Sequence, residues 1–338
     1  DSGYFYSITL ADMVSRWTNT EKSPRVDLND YTATVIGMIR DDVPFNTVLS
    51  ANLVYVGDPA KIPDLASRPY SLGSNSHYQT IATAIESGTV NFKLKDVLIP
   101  QPQSTATPEL PQEAIAGIQS TRGFGEAFFL AGTNRRALKF VLSTFLCQEL
   151  EQLADSTRAD YRVRQDVTRA PGGDSRTYRT KCASCHAGMD ALAGAYAYYD
   201  MKSGKTPGTN ALTYSTDAVS PKFLQNKEQF PAGFVTKDDN WVNNWLEGQN
   251  AVIGWHPVSS ADPASMTSGQ GAKSLGQMLT ATDAFTSCMV QRSFKTMCLR
   301  PPTSETDRQT IDKMTVDFRK DYNLKNAMVT AVVACSGK

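Results

Sequence analysis

Two cysteines three residues apart, with a histidine directly after the second, form the motif CASCH at 182–186 and constrain this chain more than any other feature. Residues at i and i+3 share one face of a helical turn, so Cys182 and Cys185 present both thiols to the same object. His186 follows at once and adds an imidazole. C-x-x-C-H is the pattern of c-type haem attachment. The two thiols meet the two vinyl groups on one porphyrin edge, and the histidine supplies an axial nitrogen to the iron. A structural zinc site wants four ligands, typically with a second close pair. The cysteines at 288 and 298, ten apart, are a poor second half. A thioredoxin-like redox pair needs a βαβ context, whereas the flanks here read as helical. The expectation is one covalent haem c per chain, held by Cys182 and Cys185, with His186 as the proximal metal ligand.

Composition sets the surroundings. A chain of 338 residues is long enough for two compact domains or one elaborated one. Hydrophobic residues at 41% can fill a core. Lysine plus arginine, 34, equals aspartate plus glutamate, 34, so no bulk field favours nucleic acid or an anionic membrane. No apolar stretch approaches the roughly 18 residues that a spanning helix requires. The opening DSGYFYSITL has neither Met nor a basic stretch, which reads as a product whose export signal has been removed. Six cysteines, at 147, 182, 185, 288, 298 and 335, suit a periplasmic or extracellular setting better than a reducing cytosol.

The pattern along the chain is mainly α. Apolar residues recur at three and four spacing over 10–19 and 31–42, and most clearly over 133–153, where Leu138, Val141, Leu142, Phe145, Leu146, Leu150 and Leu153 share a face. Residues 271–298 read as one helix or as two joined near Thr280 and Thr282. Helices over 304–322, with Ser304 as cap, and over 324–335 follow. The best strand signal is 89–99. Loops rich in Pro, Gly, Ser and Thr occupy 57–76, 100–111, 202–222 and 257–272. The expected organisation is a helical N-terminal region, 1–130, packed on a cytochrome c-like haem region with long loops and C-terminal helices, 131–338.

The stretch RVRQDVTRAPGGDSRTYRTKCASCHAGMDALAGAYAYYD resembles a family of large bacterial single-haem c-type cytochromes, related to planctomycete-type cytochrome domains and mostly without assigned function. There a C-x-x-C-H-x-x-M-D-x-L segment follows an arginine-rich, Pro-Gly-Gly loop. Further matches are YTATVIGMIRDDVPFNTVLS, TRGFGEAFFLAGTNRRALKF, DDNWVNNWLEGQNAVIGW and GAKSLGQMLTATDAFTSCMVQRSFKTMCLRPP, so the likeness covers most of the chain. It implies a secreted bacterial protein with one covalent haem.

The loop before the motif carries six arginines and one lysine between 158 and 181, against three aspartates. Arginine binds carboxylates bidentately, and haem has two propionates, so Arg164, Arg169 and Arg176 are candidate cofactor-binding residues. The competing role for the loop is a solvated, locally ion-paired surface.

The far side of the haem decides the function. Met189 lies three residues after His186 on the proximal side, and packing is its expected role. His77, at the start of an expected helix, is the preferred distal metal ligand. Met266, Met278, His256 and an open position are the alternatives. The other four cysteines are expected to form two disulfides. A continuous helix would hold Cys288 and Cys298 about 15 Å apart. That favours Cys147–Cys288 with Cys298–Cys335, or Cys147–Cys298 with Cys288–Cys335. The aromatic runs at 4–6, 195–200 and 241–245 are weighed as core against an interface or carbohydrate contact.

Three functions are weighed. The first is single-electron transfer with a redox protein partner. The second is a peroxidase- or oxygenase-type haem enzyme with an open distal position. The third is a structural subunit of a surface cytochrome assembly, homo- or hetero-oligomeric. The electron carrier is preferred over the catalyst, since no distal acid–base pair is visible.

Overall fold

The computed structural model describes residues 2–24, 26–88, 91, 93–204, 209–257 and 262–336. It is 54% helical with a few small sheets, a mainly α chain as the apolar periodicity indicates. In chain order the principal helices are α1 (Asp30–Arg40), α2 (Ser76–Glu86), α3 (Arg122–Phe128), α4 (Arg135–Val141), α5 (Ala183–Ala193), α6 (Gly271–Thr280), α7 (Asp283–Cys298), α8 (Glu305–Asp321) and α9 (Leu324–Cys335). Short strands β1 (Val54–Gly57) and β2 (Leu98–Gln101) pair antiparallel, with Tyr55 opposite Pro100. Strands β3 (Tyr199–Lys202) and β4 (Ala211–Tyr214) form a second two-stranded sheet. Strands β5 (Asn240–Val242) and β6 (Ser268–Gln270) form an antiparallel third.

The chain divides into two compact units, one comprising 1–130, 201–212 and 286–338, the other 131–200 and 213–285. The C-terminal helices thus group with the N-terminal region, not with the 131–285 segment that the 131–338 grouping joined them to. Contacts within the first unit explain this. Phe45 N–H donates to Tyr322 C=O at 2.9 Å, and Lys325 Nζ reaches Asp42 Oδ2 at 2.7 Å and Arg40 C=O at 2.9 Å.

The first unit is built around α1, buried from Asp30 to Ile39. Its sequence DYTATVIGMI is apolar or small on every side, as a helix with no solvent face must be. Asn29 caps it, accepting from Thr32 N–H at 2.9 Å. Gly37 admits the Tyr55 ring, whose atoms stand 2.2 Å from where a Cβ would be. Asp30 ties α1 to α3. Its carboxylate accepts from the N–H groups of Tyr31, Arg122 and Gly123 at 2.9, 2.6 and 2.8 Å, and from the Tyr70 hydroxyl at 2.7 Å. Burial pushes its pKa above the usual range despite these donors.

Elements departed from expectation where local chemistry intervened. The helix over 133–153 ends at Leu146, where Cys147, a disulfide-bonded residue, turns the backbone left-handed with φ +54°. Residues 271–298 form two helices separated at Ala281 and Thr282. Ser304 caps α8 in a capping box with Asp307. Of the expected strand 89–99, residues 94–97 are a short helix and 98–99 open β2, while 89, 90 and 92 lie outside the described residues. Parts of two expected loops, 205–208 and 258–261, also lie outside them.

Cys298 bonds Cys335 with Cα atoms 5.6 Å apart, as in the first of the two pairings weighed, and Cys147 and Cys288 are also disulfide-bonded. Cys288 and Cys298 lie on one continuous helix. Among the described residues no helix is long and apolar enough to cross a membrane.

Replacing Asp30 by Ala leaves three backbone N–H groups and a tyrosine hydroxyl without their acceptor. The expected loss is at least about 3 kcal/mol, measurable as a lowered urea midpoint. A change below ~0.5 kcal/mol would contradict the role given to Asp30.

Candidate functional site

In the second unit, a π-helical turn, Tyr178–Cys182, leads into α5. Cys182 stands at the junction, with Cys185 and His186 in the first turn. Both cysteines are free and half-buried, whereas the remaining four are disulfide-bonded. The Cys185 sulfur lies 3.7 Å from Leu150 C=O, and burial, with the Glu151 carboxylate nearby, pushes its thiol pKa up.

The His186 ring is fixed from one side. Its Nδ1 lies 3.2 Å from Asp190 Oδ1, one helical turn on. Nε2 has no partner among the described residues. Asp190 is fully buried and accepts from Arg135 Nε at 2.5 Å, Arg135 Nη2 at 2.8 Å and Arg164 N–H at 3.1 Å. Burial alone would raise its pKa, but the Arg135 guanidinium outweighs burial and holds it well below the usual carboxylate range. The far edge of Arg135 forks onto Asp166 at 2.6 and 2.8 Å. Asp166 is likewise held below the ordinary range, Arg135 again overcoming desolvation.

The helix is seated by close packing. Gly188 faces the buried Trp245 indole, whose Cε2 stands 2.0 Å from where a Cβ would be. Asn244 Nδ2 donates to Ala187 C=O at 2.8 Å. Trp255 meets Trp245 edge-on at 5.6 Å. Met189 is buried, as its packing role requires, and Tyr6, Tyr196, Tyr199, Trp241 and Trp245 are core.

The three arginines expected to bind propionates have other employment. Arg164 is 2% exposed. Its Nη2 donates to Thr133 Oγ1 at 2.7 Å and its guanidinium lies 4.6 Å from the Phe223 ring centre. Burial, with Arg135 alongside, pulls its pKa down to about 10. Its Nε and Nη1 are buried without a hydrogen-bond partner. Arg169 is sandwiched between Tyr178 and Phe230, at 4.8 and 4.3 Å, and donates to Val163 and Val167 carbonyls. Arg176 is exposed and paired with Asp174 at 2.9 Å.

A cavity of about 620 Å³ is lined by Ala183 of the motif, though not by Cys182, Cys185 or His186, and by Arg158, Arg169, Arg179, Tyr178, Phe230 and Phe234 among others. Arg158 and Tyr161 also line a neighbouring cavity of about 350 Å³ with Asn243 and Asn244. The exposed Arg179 side chain has no ion-pair or hydrogen-bond partner among the described residues. Arg158 lies 3.2 Å from Asp155.

His77 is not placed to ligate iron. It is buried in the first unit, where Nε2 accepts from Gly57 N–H and Nδ1 faces Arg68 C=O, both at 2.9 Å. Burial lowers its pKa, as suits a neutral ring with one nitrogen donating and one accepting. Neither lone pair is left for a metal, and its role is structural. His256 is exposed. Met266 and Met278 are buried, and Met278 sulfur accepts from Asn243 at 3.6 Å.

Sequence reasoning assigned no role to Asp190, Arg135 or Asp166. Only Asp190 carried a readable signal, its i+4 spacing from His186 on an expected helix.

Comparison with family models, curated proteins and solved structures finds no match to this chain.

The donor set distinguishes between metal groups. A bare ion is normally held by several side chains, and the described residues contain no group of three or more His, Cys, Asp or Glu able to do so. A haem iron takes four nitrogens from its porphyrin and needs one or two from protein. Two free thiols on one turn and a following imidazole with Nε2 unengaged are the protein donors that haem c would need.

Gly188→Ala should destabilise the second unit by about 3 kcal/mol, the upper end of overpacking costs, because a rigid indole must move. Thermal unfolding checks this. An unchanged transition would contradict the close seating of α5 on Trp245.

Proposed function

We propose that this chain is an exported monohaem c-type cytochrome that transfers single electrons. One observation carries the proposal: the only two free cysteines lie three apart on one helical turn, followed by an imidazole whose Nδ1 is held and whose Nε2 is not. The four other cysteines in disulfides fit an oxidising compartment outside the cytoplasm, where haem c is attached. In this assignment Cys182 and Cys185 hold the vinyl edge and His186 the iron. When bound, the haem supplies a metal that alternates between ferrous and ferric. The second unit, with its aromatic and cationic cavity beside Ala183, is the cytochrome c-like region. Arg158 and Arg179 line that cavity and replace Arg176 as partners for the propionates. The expected partner is a redox protein, not nucleic acid.

A second proposal is favoured by His77. Both of its ring nitrogens are engaged within the first unit, so the preferred distal ligand is withdrawn. A haem held by His186 alone would keep an open sixth position and could bind small ligands, as a peroxidase- or oxygenase-type enzyme does.

Protein-film voltammetry and a carbon monoxide titration of the ferrous protein test both. The electron carrier predicts one reversible one-electron wave and a spectrum unmoved by carbon monoxide. A shifted spectrum puts the open-site enzyme first, and the absence of any wave or visible band defeats both.

A further inference from the structure

Bound to iron through Nε2, His186 would turn its other ring nitrogen toward a carboxylate rather than a neutral carbonyl. Asp190 Oδ1 lies 3.2 Å from Nδ1, and the carboxylate is buried at the end of an ionic chain running through Arg135 to Asp166. Arg135 grips both of its oxygens, so Asp190 cannot rotate away from the imidazole without breaking that fork. Arg164 N–H adds a third donor and fixes the carboxylate to the 158–170 loop. The partner of the non-ligating nitrogen sets both the tautomer and the basicity of a ligating histidine.

We propose that Asp190 is a positioning residue that fixes His186 with Nδ1–H toward itself and Nε2 toward iron, and that its carboxylate biases the bound iron toward the ferric state. This rests on the haem assignment above. The physical route is short. A negative charge on the hydrogen-bond acceptor draws the Nδ1 proton and leaves more electron density at Nε2. A more electron-rich ligand stabilises the higher charge of ferric iron. The pull is graded, because Arg135 neutralises part of the Asp190 charge and Asp166 in turn takes part of Arg135. The chain gives the fold two settings for one haem: the charge on Asp190 and the strength of the Arg135 fork.

Two measurements on the haem-loaded protein test this. In Asp190→Asn the midpoint potential should rise, with the ferrous-to-ferric ratio at fixed potential increasing at least tenfold, about 59 mV for one electron. A folded, haem-loaded variant with an unchanged potential would overturn the proposal. Should Asp190→Asn fail to fold, the wild type still decides. Its His186 Nδ1 proton should appear in the NMR spectrum as a slowly exchanging signal, and fast exchange with water would overturn the proposal. A wild-type protein that carries no haem overturns the haem assignment itself, and this inference with it. A loaded protein with an insensitive potential overturns only the role of Asp190.

Discussion

The fork of Arg135 between Asp190 and Asp166 is the interaction on which the candidate site depends. It joins the start of α4, the loop 158–170 and the helix carrying Cys182, Cys185 and His186 through one guanidinium. Removing water from three charges costs several kcal/mol per ion, and only well-formed bidentate geometry offsets that. Here both edges of the guanidinium are used. Losing Arg135 would leave two buried carboxylates without their shared cation. What the fork secures is position: it sets the carboxylate that holds the His186 ring, while Gly188 and Trp245 set the height of the helix.

Against that frame the arginine-rich loop has a different meaning from its composition. Six arginines before C-x-x-C-H suggest a surface waiting for an anion, yet Arg164 and Arg169 hold the loop together through carbonyls, a threonine and aromatic faces. Arginine suits this because its planar cation stacks while its edge still donates. Arg158 and Arg179 line the cavity with Arg169 but are not held between aromatic rings as it is, a difference of surroundings and not of residue type.

Much of the fold was legible because its signals are local. Helices at 30–40, 305–321 and 324–335 follow from periodicity and caps, and the break near Thr282 from threonines in a helical run. The disulfide arithmetic worked because helix rise alone forbids Cys288–Cys298. The early end of the helix at Leu146 was not legible, since nothing in the apolar periodicity marks the left-handed backbone at Cys147. His77 misled for a similar reason. A histidine opening a helix resembles a ligand until Gly57 and Arg68, distant in sequence or across a turn, are found on its two nitrogens. Asp190 alone was within reach, one helical turn from His186. Its importance comes from Arg135, 55 residues away, which no local spacing announces.

The central proposal is that Cys182 and Cys185, free in the structure, hold a haem, and intact-mass spectrometry of the protein under denaturing, non-reducing conditions tests it most directly. The account predicts the polypeptide mass with two disulfides plus one haem, and loss of that haem from a Cys182→Ser, Cys185→Ser chain. A wild-type mass equal to the bare polypeptide, with Cys182 and Cys185 free or bonded to each other, would contradict it.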